Sequence, residues 1–361
     1  MKVSEICKYA PKSNIKARDA CDGGKYVFFT SSADESKRYN AYQHEGEGII
    51  MGTGGNATLH YYDGKYAVST DCIVLLPNEQ IRCKYLYYFF LGNMRVLERG
   101  FKGAGLKHTN KGYIGDIDIG DIPSFERQEK IIGIFDTLQS IIDLRKSEIE
   151  RLDNLIKARF VEMFGSPVSN PMSWEKRTLK EVCIKLNDGS HFSPESFETG
   201  DYKYVTAKNI KFSGFDFSNI TYVPEAVHRP IFDRCNPEFE DVLYIKDGAT
   251  TGVAIVNTLD EEFTLLSSVA LLKQDRSIMN GYFLATLLNN KDMYLNIRNN
   301  MGGAAITRLT IAKLNAIEII VPPIELQNQF AAFVAEVDES KLMFQKLHQK
   351  LNILQQKAGD I

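Results

Sequence analysis

The longest regular pattern in the chain occupies residues 124–164, a stretch without a proline. Apolar residues recur there at alternating steps of four and three, which is typical of the narrow seam of a coiled-coil helix. Charged residues fill the other faces, Pro123 stands at the start, and the run FGSP ends the pattern. The pattern predicts one helix, roughly 60 Å long, that packs along a partner helix. The predicted seam residues, with one basic interruption, are Ile131, Phe135, Leu138, Ile142, Arg145, Ile149, Leu152 and Ile156.

A second stretch with the same spacing lies at the other end of the chain, from residue 323 to about residue 357. The two stretches also begin alike, because IPSFERQ (122–128) and VPPIELQ (321–327) share Pro, Glu and Gln at the same places. The sequence therefore predicts two long helices within an internal repeat. The second seam is Leu326, Phe330, Phe333, Val337, Ser340, Phe344, Leu347, Leu351 and Leu354.

The repeat extends upstream of both helices. GTGG (52–55) falls opposite GATTG (248–252), YLYYFFLGN (85–93) opposite YFLATLLNN (282–290), and GFKGAGLKH (100–108) opposite NMGGAAITR (300–308). Short β-branched and aromatic runs between Gly, Asn and Asp turns predict strands in each half, for example KYVFF, GIIM, YAVST and DCIVLL, then YKYV, DVLYI, VAIV and SVALL. One short helix per half is predicted, at 84–97 and at 281–297.

These patterns predict an α+β protein with two mixed α/β domains, each followed by a long helix. The expected boundaries are residues 1–122 for the first domain, 123–165 for the first long helix, 166–322 for the second domain and 323–361 for the second long helix. The 361 residues, 44% of them hydrophobic, suffice for two separate cores.

The chain shows no apolar run of the ~18 residues that a membrane span needs, and its first residues lack a signal-peptide core. We therefore expect a soluble, cytoplasmic protein with no membrane partner. The six cysteines form no CxxC pair. Reduced structural thiols are thus expected, and neither disulfides nor a metal site.

The charge is uneven along the chain. A net charge of −3 and a pI near 6.1 argue against indiscriminate binding of nucleic acid. Around the two Gly-rich loops, however, the charge is positive, through Arg95, Arg99, Lys102, Lys107, His108 and Lys111 in the first half and Arg298, Arg308 and Lys313 in the second. A basic loop on a neutral body suits sequence-specific recognition of DNA. The alternative, ordinary solvated loop charges, stays open.

Motifs for catalysis are missing. FKGAG (101–105) looks like the glycine motif of methyltransferases that bind S-adenosylmethionine, but no new helix follows it to receive a cofactor. Asn170 and Pro171 are followed by Met and Ser, and not by the Pro and aromatic residue that would hold a flipped adenine. There is no GxxxxGK[ST] phosphate loop, and the six histidines form no convincing triad. We predict that the chain is not an enzyme and binds no cofactor or metal.

In its repeats and helix starts, the chain resembles the specificity subunits of type I restriction-modification systems over essentially its whole length. The resemblance depends on the two half-repeats, the two helix starts, ARFVEMFGSPVSNPMSWEKRTLKEVC (158–183), and the runs KYVFFTSS, GIIMGTGGNATLHYY and GFKGAGLKHT. It implies two target recognition domains, each recognising one half of a split, asymmetric DNA site, and two long helices packed as an antiparallel coiled-coil spacer. It also implies two adenine-N6 methyltransferase subunits, which would hold S-adenosylmethionine, and two motor and nuclease subunits, which would hold ATP and Mg.

Two sets of residues follow as candidate contacts. Apolar residues off the helix seams would dock a partner helix, unless the recognition domains cover them: Ile134, Ile141, Leu155, Leu342 and Ile353. Polar side chains of the loops would contact bases and phosphates of DNA: Ser31, Ser32, Asn56, His60, Lys102, Lys107 and His108 in the first half, and Lys208, Asn209, Thr250, Thr251, Arg298, Asn299, Thr307 and Arg308 in the second. A methyltransferase-only system and a non-DNA-binding coiled-coil scaffold remain as alternatives.

Overall fold

The structure is a computed structural model that describes residues 1–103, 105–299 and 308–358, with side chains as far as residue 342. It divides into two compact units. The first comprises Met1–Ser147 together with the chain from Phe344, and the second comprises Glu148–Met343.

The first unit contains a mixed sheet with helices around it. Its helices are α1 (Val3–Ile6), α2 (Cys83–Gly92), α3 (Met94–Glu98), α4 (Lys111–Gly115) and the long α5 (Phe125–Phe164), of which residues 148–164 belong to the second unit. Its strands are β1 (Cys7–Tyr9), β2 (Tyr26–Phe29), β3 (Arg38–Tyr39), β4 (His44–Gly52), β5 (Leu59–Val68) and β6 (Cys72–Pro77). Among the described residues these strands form one sheet in the order β1-β6-β4-β5-β2-β3. Only β2 and β5 pair in parallel within that described sheet.

The apolar parts of the strands have side chains buried on both faces of the sheet. Successive residues of a strand point to opposite faces. Ile49 and Met51 of β4 therefore pack in one cluster with Leu86 and Phe90 of α2. Ile50, between them, packs in another cluster on the opposite face.

The second unit has the same kinds of element. Its strands are β7 (Lys176–Thr178), β8 (Cys183–Asp188), β9 (Tyr202–Val205), β10 (Ile210–Lys211), β11 (Gly214–Phe215), β12 (Thr221–Val223), β13 (Val242–Ile245), β14 (Ala254–Val256), β15 (Thr264–Leu265), β16 (Val269–Gln274) and β17 (Glu318–Ile320). Its helices are α6 (Leu179–Val182), α7 (Glu225–Arg234), α8 (Gly281–Asn289), α9 (Lys291–Asn299), α10 (Ile311–Asn315) and the long α11 (Ile324–Ala358), of which residues 344–358 belong to the first unit. The central sheet has the order β14-β13-β16-β8.

The core of this unit holds the end of α5. Val242 and Tyr244 of β13 pack in a cluster with Phe160 and Phe164 of α5. Leu243 and Ile245 face the other way, into a cluster built around β9, β15 and β16. The end of α5 is thus part of the core of the second unit.

The two predicted long helices are present, and the predicted seam residues as far as Ser340 lie on their less exposed faces. The rest of the second seam, Phe344, Leu347, Leu351 and Leu354, lies outside the described side chains. Phe135 and Ile142 are buried in α5, as are Phe330 and Val337 in α11. Within the second unit the ring of Phe160 lies 5.6 Å from that of Phe330. Further along, Lys341 Nζ lies 2.9 Å from Asp153 Oδ1. Because the two contacts occur in opposite order along the helices, these segments run antiparallel.

The two predicted short helices are each broken, which corrects the expectation of one helix per half. The stretch 84–97 is divided at Asn93 into α2 and α3, and the stretch 281–297 is divided at Asn290 into α8 and α9. Asn93 Nδ2 donates to the Phe89 carbonyl at 2.9 Å, and Asn290 Oδ1 accepts from the Asp292 nitrogen at 3.0 Å. An asparagine side chain that bonds the local backbone in this way competes with helix hydrogen bonds.

Candidate DNA interface

In the first unit, two loops that are distant in sequence pair with each other. The Gly55 nitrogen donates to the Lys107 carbonyl at 2.9 Å, and the Thr109 nitrogen donates to the Thr53 carbonyl at 3.0 Å. Lys102 and His108 exchange two backbone hydrogen bonds of 3.0 Å across the second loop. This pairing brings four predicted site residues to one surface, and all four are exposed: Asn56, Lys102, Lys107 and His108.

The side chain of Ser31 forms hydrogen bonds with the backbone of the first of these loops. Its Oγ accepts from the backbone nitrogens of Thr53 and Gly54, at 3.2 and 3.4 Å, and donates to the Asp71 carbonyl at 2.5 Å. No Cβ could be added at Gly52 without meeting Ser31, whose Cα would lie 2.8 Å away. Ser31 therefore acts on the loop backbone, and this contact explains the glycine at the end of β4.

His60 is an interior residue. It is 4% exposed, and its ring nitrogens contact Glu35 Oε1 at 2.7 Å and the Ser32 carbonyl at 3.2 Å. The imidazole thus ties β5 to the loop that follows β2. This burial assigns a supporting role to His60, while Ser32, which is half-buried, stays a candidate contact.

The second unit pairs its loops in the same way. The Leu309 nitrogen donates to the Lys246 carbonyl at 2.8 Å, next to a bridge between Asp247 and Arg308. Arg308 Nε also lies 3.2 Å from Asp247 Oδ1. The two residues that lead into the Gly-rich loop 248–252 are therefore paired with Arg308 and Leu309, much as loop 52–55 is paired with the segment around His108 in the first unit.

Within this loop the two predicted threonines differ. Thr250 is exposed, whereas Thr251 is buried and its Oγ1 donates to the Gly248 carbonyl at 2.6 Å. Arg298, at the end of α9, donates from Nη1 to the Thr251 carbonyl at 2.7 Å. Arg298 thus holds the loop to α9, and Asn299 beside it is exposed.

Two further predicted contact residues of this unit lie at the turn after β9. Asn209 is buried, accepts from the Thr206 nitrogen at 3.0 Å and donates to the Asp216 carbonyl at 3.2 Å. Lys208 beside it is exposed. Asn209 and Thr251 therefore join His60 as residues that support loops, and the prediction of direct DNA contact stays for the exposed side chains. Thr307 lies outside the described residues.

The sequence reasoning missed a buried lysine at the start of the Gly-rich loop. Lys246 is 1% exposed, and its Nζ lies 2.7 Å from Asp247 Oδ2 and 3.3 Å from Asp188 Oδ2. Asp188, 3% exposed, is also within 3.1 Å of His191 Nε2 and 3.5 Å of Arg234 Nη1. In the sequence, Lys246 directly follows the apolar run VLYI. A lysine at that position is easily taken for a surface residue that ends the strand, and this is why its burial was missed.

The long helices expose apolar side chains away from their seams. Ile134, Leu155 and Leu342 are exposed, and Ile141 is half-buried. Leu144 and Val161 of α5, which were not predicted, are exposed as well. The side chain of Ile353 lies outside the described ones.

The described residues contain no cluster of His, Cys, Asp and Glu that could hold a metal ion. The six cysteines are free, and burial raises the pKa of Cys72 to about 11 and that of Cys183 to about 12. Such thiols are weak nucleophiles at neutral pH. In the part of the chain that the structure describes, no helix is both long and apolar enough to cross a membrane.

Comparison with known proteins places this geometry in a family. The family model of the type I restriction modification DNA specificity domain matches residues 1–154 and 171–353. The specificity subunit of the type I restriction enzyme EcoDI from Escherichia coli is 24% identical over 157 residues, which are 44% of this chain and 34% of that protein. The matched part thus spans about a third of that relative.

Two solved structures share the fold. The type I restriction-modification system S subunit from M. genitalium has a TM-score of 0.60 at 15% identity, covering 99% of this chain and 94% of its own. A chain from a structure on complex assembly and conformational transition of the type I R-M system has a TM-score of 0.51 at 17% identity. The match covers 100% of this chain and 96% of that chain. Since the family model matches most of the chain, this protein belongs to the type I restriction modification DNA specificity family.

Proposed function

We propose that this chain is the sequence-recognising subunit of a type I restriction-modification complex and that it binds a bipartite, asymmetric DNA site. In this proposal each unit recognises one half-site through its paired loops. The observation that carries the proposal is the shared backbone pairing, Thr109 to Thr53 in the first unit and Leu309 to Lys246 in the second. The same loop arrangement, built twice with different side chains, suits two half-sites of different sequence.

The charge of these loops supports DNA as the ligand. Lys102, Lys107 and Lys208 are exposed, and in the described part of the chain no acidic side chain lies within ion-pair distance of them. Lysines without acidic neighbours can neutralise phosphates. Exposed Asn56, Thr250 and Arg308 supply the hydrogen-bonding groups that distinguish base edges.

The long helices carry the second part of the proposal. We infer that α5 and α11 form an antiparallel coiled coil along their whole predicted seams, as one element of an internal repeat. Their exposed apolar residues would dock two adenine-N6 methyltransferase subunits, and two motor and nuclease subunits could join this assembly. Chemistry would then belong to the partners, with S-adenosylmethionine in the methyltransferase and ATP with Mg in the motor, while this chain binds no cofactor.

Mapping of methylated adenines by long-read sequencing tests the proposal. The chain is expressed with its methyltransferase subunits in a host that lacks them, and a strain without this chain is the control. We expect methylation at one split sequence that disappears in the control. Methylation at the same sites without the chain, or at none with it, would contradict the proposal.

A chimera then assigns the half-sites. Residues 1–122 are replaced by the matching unit of a relative with a different site. Because each unit has its own core and its own loop pair, we expect one half-site to change and the other to stay. A change in both halves would show that the units recognise DNA jointly.

A further inference from the structure

A short hairpin of the second unit presents an aromatic side chain to solvent. Strands β10 and β11 are joined through Phe212 and Ser213, and Gly214 takes a φ of +112°, which favours glycine. Phe212 at this turn is 63% exposed. A large apolar side chain at the tip of a tight hairpin contributes little to the core, so this ring is available for a contact with another molecule.

The ring of Phe212 lies next to residues that lead to the candidate DNA loop. The ring of Phe212 lies 6.0 Å from that of Tyr294 on α9, and the Arg298 guanidinium lies 5.5 Å from the same tyrosine ring. A Cβ at Gly252 would lie 2.5 Å from Tyr294 Cε2, so the tyrosine rests directly on the loop backbone. Phe212, Tyr294 and Arg298 therefore form one continuous surface with the Gly-rich loop 248–252.

The positive charge beside this surface favours an anionic partner. Lys211, in β10 directly before Phe212, and Lys208, three residues earlier, are both exposed. Among the described residues neither has an acidic side chain at ion-pair distance. An exposed aromatic ring near two exposed lysines is complementary to the bases and phosphates of DNA, because base faces and thymine methyl groups are apolar while the backbone is anionic.

We propose that Phe212, held by Tyr294, makes an apolar contact with a base of the half-site that the second unit recognises, and that it is a specificity-determining residue. This inference rests on the proposed function. The contact could be made with a thymine methyl group in the major groove or with a base step opened by the ring. A thymine methyl group and the face of an unstacked base are both apolar, and the experiment below distinguishes the two contacts.

The test uses the assembled methyltransferase complex and duplexes that carry its mapped site. In one series each thymine of the second half-site is replaced singly by deoxyuridine, which lacks only the methyl group. In a second series 2-aminopurine, whose fluorescence rises on unstacking, is placed at each step of that half-site. Affinity and fluorescence are measured for the wild type, for Phe212→Ala, and for Phe239→Ala, which removes another exposed ring of the same unit.

We expect Phe212→Ala to weaken binding to the mapped site, and Phe239→Ala to leave it unchanged. If the contact is with a methyl group, one deoxyuridine weakens wild-type binding about fourfold, as for removal of one buried methyl group, and has no effect on Phe212→Ala. If the ring opens a base step, 2-aminopurine fluorescence rises with the wild type and not with Phe212→Ala. Either result supports the inference.

The inference is overturned if Phe212→Ala binds the mapped site like the wild type, or if its loss of affinity is equal for every modified duplex without a change in fluorescence. These outcomes differ from failure of the proposed function itself. In that case the wild-type complex would not distinguish the mapped site from unrelated DNA in the first place.

Discussion

Gln327 accepts a hydrogen bond from the backbone nitrogen of Asn280 at 2.9 Å, 47 residues away in the chain. Its Nε2 donates to the carbonyls of Pro322 and Ile278, at 2.7 and 3.0 Å. Gln128 does the same in the first unit, accepting from the Arg82 nitrogen and donating to the Pro123 carbonyl, both at 2.8 Å. Each glutamine is buried and joins the start of a long helix to the start of a short one. This shared geometry gives a physical reason for the glutamine at the end of IPSFERQ and VPPIELQ, and it supports the proposed repeat.

Replacement of Gln327 by Leu should destabilise the second unit by about 2–3 kcal/mol, since it leaves buried backbone groups without partners. The single tryptophan, Trp174, lies in this unit and donates to the Phe164 carbonyl at 3.0 Å, so its fluorescence reports unfolding there. The measurement is the urea midpoint. Gln329→Leu, at an exposed position of the same helix, is the control. Equal midpoints for the two variants would refute the structural role of Gln327.

The helix pattern was predictable from sequence because it depends on local spacing. The seam spacing of α5 and α11, the strand runs and the positions of the Gly-rich loops follow from periodicity and from the repeat, whereas the backbone pairing of these loops was not predicted. The short helices are interrupted at Asn93 and Asn290, where the side chain forms a hydrogen bond with the local backbone that competes with the helix hydrogen bonds. A hydrophobic pattern does not show hydrogen bonds of this kind. The roles of His60 and Lys246 depend on residues 25 to 58 positions away, so burial could not be separated from surface exposure by residue type alone.

Lys246→Met tests the buried charges behind the Gly-rich loop. The substitution removes the cation between Asp188 and Asp247, but Arg234 and Arg308 still pair with these carboxylates, so the loss should stay below about 3–5 kcal/mol, the cost of a charge left unpaired in the interior. The Trp174 midpoint should fall accordingly. Binding to the mapped DNA site should also weaken at temperatures where the variant is folded, because the lost ion pairs position residue 246, whose backbone carbonyl accepts from Leu309 beside the loop.

Lys273→Met is the matched control for that prediction. Lys273 is buried in the same unit and lies 2.6 Å from Glu238 Oε1 and 3.5 Å from Asp241 Oδ2, but it is not part of either loop. It should lower stability comparably and leave DNA affinity unchanged in the folded protein. An equal loss of affinity in both variants would mean that Lys246 acts through stability alone.

Docking of the methyltransferase subunits should depend on the exposed apolar residues of α5. Leu155→Glu places a charge where a partner would bury an apolar side chain, so co-purification with the methyltransferase should be lost while the Trp174 midpoint stays the same. Leu295→Glu, a similar change at an exposed leucine of α9, should co-purify normally. Retention of the partner by Leu155→Glu would show that another surface of the chain carries the contact.

Acid should weaken the second unit through two glutamates that flank Arg229. Arg229 Nη2 lies 3.0 Å from Glu262 Oε2, and Arg229 Nε lies 3.0 Å from Glu225 Oε1. The pKa of Glu262 is lowered by hydrogen bonds from His228 and Arg229, and that of Glu225 by hydrogen bonds from Tyr202 and Arg229.

Because both folded-state pKa values are depressed, the stabilisation is present above the ordinary glutamate pKa of about 4.3 and is lost as the pH falls through the folded-state values. The urea midpoint should therefore fall below about pH 4.3, and it should fall less steeply in Arg229→Gln. An identical acid profile in that variant would exclude the pairs as the cause.

The length of the long helices should set the number of unrecognised base pairs between the half-sites. Asp153 pairs with Lys341, so insertions after Glu150 and after Lys341 fall at matching heights of the two antiparallel segments. Four residues such as Ala-Leu-Glu-Lys in both places add ~6 Å and rotate the chain beyond them by only ~40°. One base pair adds ~3.4 Å along the DNA and ~34° of rotation.

The matched insertion should therefore lengthen the spacer by one or two base pairs, with both half-sites unchanged, as adenine-methylation mapping would show. Two-residue insertions at the same places rotate each helix by ~200° and turn its apolar seam away from the partner, so they should abolish methylation or lower the Trp174 midpoint. An active four-residue variant with the original spacer would show that the half-site distance is fixed elsewhere, since a rigid helix pair that had grown by one turn could not keep its ends at the former separation.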